Sequence, residues 1–372
     1  MKRTETTGIA AEAGTTRARA PHATTNAAAA PLRFPFADAP PTDGTLFDVA
    51  PGIKWLRMPL PLALDHINLY LIRDHDGWMI FDTGLGTEPT RALWRKIIDG
   101  PLAGQRITGV ICTHFHFDHA GLAGWLTETL RVPLYMSYGE YYTLRVMAGE
   151  RGAELPWEHA QFFQQSGFPV ADLDAIMAVV RMSNAMITPP PASFRRLRHG
   201  ETLTIGDRTW QLHVGEGHAP EHMLLYCAED KLLLAGDQLL PRITSNVGIL
   251  PSEPESDLLA YWFESLDRLA GLPADTLILP AHELPYYGLA TRVAQLHEHH
   301  VEQFAILRKI CSGAPQTAYD AALQMFPHRK SKMDDLMAMG ECLAHLIHLR
   351  RRGEIERTLD GDGCYRYRTV TV

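Results

Sequence analysis

The segment THFHFDHAG, residues 113–121, places four potential metal ligands within six positions, directly after an apolar run. These side chains are His114, His116, Asp118 and His119. Adjacent residues point in different directions, so the four cannot all face one ion, but they can bind two. Imidazole and carboxylate groups suit Zn²⁺, and paired ions roughly 3.5–4 Å apart share such a set. The spacing therefore favours a dinuclear metal site over a solvated histidine-rich loop.

The flanking sequence predicts where this segment lies. From residue 45, β-rich runs such as IKWLRMPL, INLYLI and WMIFDTG alternate with turns, and TRALWRKII has helical spacing. The buried-looking strand ITGVICTH carries the metal-binding residues at its C-terminal end. The pattern predicts an α/β fold with the site on a strand-to-helix loop.

Three later strands also end in a polar turn. The run VGEGH ends at His218, LLLAGD at Asp237 and LILPAH at His282. Strand ends from separate parts of a chain converge on one edge of an open α/β sheet. Taken singly, each of these residues is more often a structural one. Together with the first four, they complete two coordination spheres.

The runs THFHFDH, GHAPEH, AGD and PAHE, in this order and after a strand ending in DTG, resemble the metallo-β-lactamase superfamily over about residues 50–297. The resemblance implies an αββα sandwich, which is two mixed sheets flanked by helices. The ligands that it implies for a first metal ion are His114, His116 and His218. Those that it implies for a second ion are Asp118, His119 and His282, with Asp237 bridging. Asp82 of the DTG run would orient a ligand histidine.

The residue at position 116 also bears on the metal. Family members with a di-iron centre for oxygen chemistry carry a carboxylate there, whereas this chain has His116. Two Zn²⁺ ions are therefore expected, with Mn or mixed Fe/Zn as the alternatives. The chain departs from the family pattern at Glu221, where relatives usually have glycine, and in the long interval between His119 and His218. Both departures leave the substrate open.

A dinuclear zinc site implies a metal-dependent hydrolase. Two zinc ions lower the pKa of a shared water, so that hydroxide exists near neutral pH, and they polarise a carbonyl or phosphoryl oxygen. Asp118 is the candidate catalytic residue, since it can orient the nucleophile or pass its proton to the leaving group. His222, Tyr286 and Tyr287 are candidate substrate contacts, with packing as the commoner role of such residues. No G-x-S-x-G, P-loop or G-x-G-x-x-G run points to another chemistry.

The predicted catalytic domain, residues 45–297, has an insertion and two flanks. Residues 1–44 are rich in Ala, Thr and Pro and are predicted to be a disordered leader, with a targeting segment as the alternative. Residues 139–192 are predicted to be a helical insertion that packs on the core or forms a lid over an apolar pocket. Residues 298–372 show three helical patterns and a hairpin with DGDG at its turn, the outline of a winged-helix-like domain.

This domain combination resembles the branch of the family that contains β-lactamase-like protein 2, in which thioester hydrolases and a ribonuclease occur. The 372 residues carry a net charge of −8, and residues 45–297 alone carry −10. RNA binding needs a basic track, so nucleic acid is disfavoured as a partner. A small acyl substrate, thioester or ester-like, is expected, with a lactone and single-stranded RNA as alternatives. A non-catalytic regulatory module is a further alternative, which the intact ligand set disfavours.

Composition adds expectations about the compartment. The five cysteines are spread along the chain, which suits reduced thiols rather than a disulfide framework. No run approaches the roughly 20 apolar residues of a membrane span, and the N-terminus has no apolar stretch of a secretory signal. A cytoplasmic protein without membrane contact is therefore expected, and a homodimer stays open.

Overall fold

The structure, a computed structural model, describes residues 31–61, 64–149 and 155–370. The strands are β1 (Phe47–Ala50), β2 (Ile53–Pro59), β3 (His66–Asp74), β4 (Gly77–Phe81), β5 (Arg106–Ile111), β6 (Leu134–Met136), β7 (Arg195–Arg196), β8 (Thr202–Ile205), β9 (Arg208–Gly215), β10 (His222–Cys227), β11 (Leu232–Gly236), β12 (Leu277–Pro280), β13 (Ile355–Leu359) and β14 (Tyr365–Thr369). The helices are α1 (Glu88–Asp99), α2 (Phe117–Ala120), α3 (Ala123–Leu130), α4 (Tyr138–Gly149), α5 (Trp157–Gln165), α6 (Leu173–Ala185), α7 (Leu258–Ala270), α8 (Leu289–Cys311), α9 (Ala318–Met325) and α10 (Lys332–Arg351). None of these helices is long and apolar enough to cross a membrane.

Two mixed sheets form the body of the protein. Strands β1 to β7 make the first sheet in chain order, antiparallel from β1 to β4 and parallel from β4 to β7. The second sheet has the order β12-β11-β10-β9-β8, in which β8 to β11 are antiparallel and β11 pairs with β12 in parallel. With helices packed on both outer faces, the predicted αββα sandwich is confirmed.

The layers follow from the alternation of side chains along each strand. On β2, Ile53 and Trp55 pack between the two sheets, whereas Leu56 and Met58 lie in the cluster formed with helices α1 and α3. On β10, the apolar residues at odd positions face the first sheet and those at even positions face the helices behind the second sheet. Both faces of β10 are therefore buried, which explains its unbroken apolar run.

The N-terminal side of the domain differs from the sequence prediction. Residues 1–30 of the predicted leader lie outside the described residues, but residues 31–44 pack on the body of the protein. Arg33 and Tyr287 exchange backbone hydrogen bonds, and Leu32 and Phe34 lie against a buried cluster. Residues 31–44 therefore pack on the body and do not form the predicted disordered leader. Their few spaced apolar side chains give no helix or strand period, so the sequence did not indicate this packing.

The predicted insertion is helical and contains α4, α5 and α6. Tyr141 and Leu144 of α4 pack on the cluster under the first sheet. Phe163 of α5 and Ile176 of α6 pack in the cluster behind the second sheet. The insertion therefore has the packing role that the sequence allowed, and its action as a lid stays a prediction.

The C-terminal segment consists of α8, α9, α10 and the antiparallel hairpin β13–β14, the three helices and hairpin that the sequence indicates. Leu307 and Leu343 share one hydrophobic cluster with Trp262 of α7 and Phe163 of α5. Helix α8 runs without a break through the predicted boundary between residues 297 and 298. The domain boundary and the winged-helix assignment therefore stay predictions.

Candidate metal centre

The segment THFHFDHAG, residues 113–121, lies on the strand-to-helix loop that the sequence predicts. Strand β5 ends at Ile111, and the short helix α2 begins at Phe117, so the two histidines between them extend from a strand-to-helix loop. The run DTG follows β4, and Asp82 adopts a positive φ of 61°. A non-glycine residue in that region is strained and is held by its surroundings. Here its carboxylate accepts hydrogen bonds from the Thr113 N–H at 2.8 Å and hydroxyl at 2.9 Å.

The seven predicted ligand residues come together in two groups. Within each group, the potential ligand atoms all lie within 4.8 Å of one another. The first group is His114, His116, His218 and Asp237, and the second is Asp118, His119 and His282. Segments far apart in sequence therefore meet at one edge of the sandwich, at the ends of β5, β9, β11 and β12.

Asp237 lies between the two groups. Its Oδ2 atom is 3.4 Å from His218 Nε2 and 3.4 Å from His119 Nε2. Its Oδ1 atom is 3.4 Å from His282 Nε2. One carboxylate thus faces imidazoles of both groups, which is the arrangement of a bridging ligand.

The donor set suits divalent cations. Among the described residues, His119 Nε2 and Asp237 Oδ1 are buried without a hydrogen-bond partner. An unsatisfied buried polar atom costs about 1–3 kcal/mol, so a cation at this position would relieve both. Five imidazoles and two carboxylates are borderline ligands of the kind that zinc, manganese and iron share. The side chains therefore fit two metal ions.

Burial and neighbouring charge set the protonation of these ligands. Burial, followed by the adjacent imidazoles, lowers the pKa of His114 and of His116 well below the usual value. For His119, burial acts in the same direction but is outweighed by Asp237, Asp118 and Asp82, which raise its pKa well above the usual value. Metal ligands must be deprotonated, so a metal ion at His119 would compete with a proton.

A further set of contacts orients the rings. His119 Nδ1 lies 2.9 Å from Asp82 Oδ2, and His114 Nδ1 lies 2.9 Å from Thr113 Oγ1. His218 Nδ1 lies 2.8 Å from the Asn246 carbonyl oxygen. Because each contact engages the Nδ1 atom, the Nε2 atom of the ring is left to face the other candidate ligands. The geometry is therefore compatible with the orienting role that was predicted for Asp82.

Sequence reasoning missed Glu140 of α4, which is fully buried. Its carboxylate accepts the N–H of Phe115 at 3.0 Å and the N–H of Glu221 at 2.6 Å, so it ties the first ligand loop to the loop of His218. Burial raises the pKa of Glu140 to about 7 in spite of these bonds. Glu221 itself accepts the N–H of Gly139 at 2.8 Å. A single glutamate in a helical segment gives no sequence signal for such a role.

Asn68 of β3 is a second residue that the sequence did not reveal. Its side-chain amide donates to the carbonyl oxygens of Pro280 and Glu283, each at 3.0 Å. Its oxygen accepts from Trp55 Nε1 at 2.8 Å. Asn68 therefore fixes the turn that carries His282, whose Nδ1 atom lies 2.9 Å from the His66 carbonyl oxygen. A buried asparagine inside an apolar strand is the signal that could have marked it.

The three candidate substrate contacts have packing or hydrogen-bonding roles. His222 is fully buried, and its Nε2 atom accepts the N–H of Asp237 at 3.1 Å. Tyr286 is fully buried and donates to the Leu239 carbonyl oxygen at 3.2 Å. The Tyr287 ring lies under the Arg33 guanidinium at 3.9 Å. A substrate contact by any of the three stays a prediction that this packing does not favour.

Comparison with known proteins identifies the family and several relatives of this chain. Residues 62–282 match the model of the metallo-beta-lactamase superfamily, and residues 304–370 match that of the metallo-beta-lactamase-like, C-terminal domain. A Bacillus subtilis relative, named "Probable metallo-hydrolase YqjP", is 26% identical over 83% of this chain and 96% of its own. The Homo sapiens protein named "Acyl-coenzyme A thioesterase MBLAC2" is 23% identical over 75% of this chain and 95% of its own.

Solved structures extend the likeness to the fold. A β-lactamase domain protein from Burkholderia ambifaria is 40% identical, with a TM-score of 0.82 over 91% of this chain and 97% of its own. A metallo-β-lactamase family protein from Thermus thermophilus is 29% identical, with a TM-score of 0.74 over 87% of this chain and 100% of its own. The likeness therefore includes both the sandwich and most of the C-terminal segment.

Proposed function

The chain belongs to the metallo-β-lactamase superfamily and is a metal-dependent hydrolase, and we propose that it cleaves acyl thioesters with two divalent metal ions. Zinc is the proposed metal, and manganese or iron are the alternatives. The observation that carries the proposal is the arrangement of seven side chains in two groups around Asp237. The residues proposed to hold the first ion are His114, His116 and His218. Those proposed for the second are Asp118, His119 and His282, with Asp237 bridging.

Asp118 is the proposed catalytic residue. When bound, two divalent ions lower the pKa of a water molecule and polarise the carbonyl oxygen of a substrate. Asp118 Oδ2 lies 3.5 Å from His282 Nε2, and its side chain is 13% exposed, so it borders the ligands and still meets solvent. Its carboxylate accepts a proton from the attacking water and returns it to the departing sulfur. The water oxygen first forms a bond to the carbonyl carbon, the C–S bond then breaks, and the products are a carboxylic acid and a thiol.

The residues behind the ligands keep this centre rigid. Asp82 accepts from the Thr113 N–H and hydroxyl and lies against His119 Nδ1. Thr113 Oγ1 in turn lies against His114 Nδ1, so the rings of His119 and His114 are both held in one orientation. Groups that are fixed in advance need no rearrangement as charge develops on the substrate. Asp82 and Thr113 therefore act as positioning residues.

The choice of a thioester rests on kinship and charge. The relative named as an acyl-coenzyme A thioesterase matches three quarters of this chain, a span longer than the catalytic domain alone. The net charge of −10 on residues 45–297 opposes a polyanion as long as RNA. A small acyl compound is the substrate class that meets both conditions.

The test is metal analysis followed by a hydrolysis screen. We expect close to two metal ions per chain, hydrolysis of acyl thioesters, loss of turnover on chelation and recovery with zinc. Acyl-coenzyme A, acyl-glutathione, a lactone and single-stranded RNA are the substrates to compare. Asp118→Asn is the matched variant, since it keeps the shape of the side chain and removes its base. Faster turnover of the lactone or RNA, or full thioester turnover without metal, would disprove the proposal.

A further inference from the structure

We propose that a basic cleft beside the metal centre binds the phosphate-bearing nucleotide of a coenzyme A thioester, an inference that rests on the thioester hydrolysis proposed above. The cleft has a volume of about 340 Å³. Its charged lining consists of three arginines and two glutamates, which are Arg196, Arg198, Arg268, Glu216 and Glu221. The lining carries three guanidinium groups against two carboxylates. Glu201, outside the lining, faces Arg198. Arginine is thus concentrated at this cleft within a domain whose net charge is −10.

The arginines are available to a ligand. Arg198 is 62% exposed, and its contact with Glu201 is a 3.5 Å approach between two exposed side chains. Arg268 is anchored, since its Nη2 atom donates to the Val214 carbonyl oxygen at 3.0 Å and to Ser265 Oγ at 3.1 Å and lies 4.0 Å from Glu216 Oε2. A guanidinium has five N–H donors in a planar fork that matches phosphate oxygens. Arg268 therefore offers a fixed donor and Arg198 an adaptable one.

The two glutamates of the cleft belong to the loop that holds a metal-site histidine. Glu216 precedes His218 by two residues, and Glu221 follows it by three. Three residues span at most about 11 Å, so the cleft adjoins the metal centre. A coenzyme A thioester places a flexible arm between its reacting sulfur and its phosphates. A phosphate site beside the metal centre, but separate from it, is what such a substrate requires.

Two exposed aromatic rings of helix α4 lie next to Arg196 of the cleft. Tyr138 is 49% exposed and Tyr142 is 45% exposed, although large aromatic side chains are usually buried. Their ring centroids lie 4.6 Å apart, and the Arg196 guanidinium lies 4.9 Å from the Tyr138 ring. Nucleotide bases stack on aromatic faces and on guanidinium planes. Phosphate donors and a stacking surface thus lie side by side, as recognition of an adenine nucleotide needs.

The test compares a full and a truncated thioester. Arg198→Glu should raise KM for an acyl-coenzyme A at least about tenfold, the loss expected for one charge-assisted hydrogen bond, with little change in kcat. It should leave KM unchanged for the same acyl group on N-acetylcysteamine, which lacks the phosphates and the adenosine. Arg198→Lys should recover part of the affinity. Lys309→Glu, an equal charge change at an exposed residue of α8, should leave KM unchanged for both substrates.

Direct binding separates this inference from the proposed function. Calorimetric titration with coenzyme A itself should show binding that Arg198→Glu weakens by the same factor, whether or not the protein turns over a thioester. Hydrolysis of both thioesters with equal kcat/KM, unaffected by Arg198→Glu, would disprove nucleotide binding by the cleft but would leave the proposed hydrolase activity standing. Binding of coenzyme A that depends on Arg198, without thioester turnover, would support the cleft and overturn the proposed reaction. Absence of coenzyme A binding would overturn the cleft.

Discussion

Helix α10 carries a carboxyl group whose ionisation we expect to weaken the fold. Glu341 Oε2 accepts from Asn246 Nδ2 at 3.3 Å. The Asn246 carbonyl oxygen in turn lies 2.8 Å from His218 Nδ1, so the C-terminal helix reaches a metal-site histidine through one residue. Burial raises the pKa of Glu341 from 4.5 to about 7, and the bond from Asn246 offsets only part of this effect.

The sign of the pH dependence follows from linkage. Because the pKa of Glu341 is higher in the folded protein than in the unfolded chain, the folded state binds the proton more tightly. The resulting stability is fully present below pH 4.5 and is lost as the pH rises through about 7. The difference between the two pKa values, 4.5 and about 7, corresponds to about 3 kcal/mol in the free energy of unfolding. The side chain keeps some contact with solvent, so we expect a loss of about 1–3 kcal/mol after screening.

The perturbation is Glu341→Gln, which keeps an acceptor for Asn246 but cannot ionise. Between pH 5 and pH 8, the free energy of unfolding of this variant relative to the parent should rise by about 1–3 kcal/mol. Urea unfolding of both proteins in a chelator measures it, since metal binding would add its own pH dependence. Glu356→Gln, at an exposed site on β13, is the control and should show no such trend. A constant difference between Glu341→Gln and the parent at both pH values would refute the reasoning.

Three further outcomes are expected. Asp237→Ala should lose much of the second metal ion and several kcal/mol of transition-state stabilisation, measured by metal content and kcat; retention of both ions with normal kcat would show that Asp237 is not the bridge. Asp82→Asn should lower metal affinity about 10- to 100-fold in competition with a chelator, because the ring of His119 loses its partner; unchanged affinity would contradict this. Glu140→Ala should reduce the free energy of unfolding by about 2–5 kcal/mol, since two buried N–H groups lose their acceptor; a loss below about 1 kcal/mol would argue against the buried clamp.

The meeting of the seven candidate ligands at one edge of the sandwich could be predicted from the sequence, because each of them lies in a local pattern. The spacing of His114 to His119 is a short-range signal, and the other ligands follow apolar runs whose ends must meet at one edge of a sheet. The sandwich follows from the same runs, since a strand buried on both faces, such as β10, is apolar over most of its length, here from Met223 to Cys227. Fold and ligand positions are therefore encoded in periods of a few residues.

The supporting contacts could not be predicted, because they join residues that are far apart in sequence. Glu140 accepts from Glu221, which lies 81 residues away, and Asn246 donates to Glu341, 95 residues away. Tyr286 illustrates the converse case. It follows His282 closely in sequence, yet its backbone pairs with Ile278 and its ring lies in the core. Proximity in sequence to a candidate ligand is therefore weak support for a substrate contact.

The two ligand groups depend on different parts of the fold, and this difference bears on specificity. The rings of the second group are oriented by Asp82 and by the backbone of β3, which belong to the sandwich itself. The loop of His218 is instead held by Glu140 of the insertion and, through Asn246, by helix α10 of the C-terminal segment. The same loop forms a wall of the basic cleft. Changes in the insertion or in the C-terminal segment therefore act on the loop of His218 and on the cleft, while Asp82 and Thr113 of the sandwich hold His119 and His114.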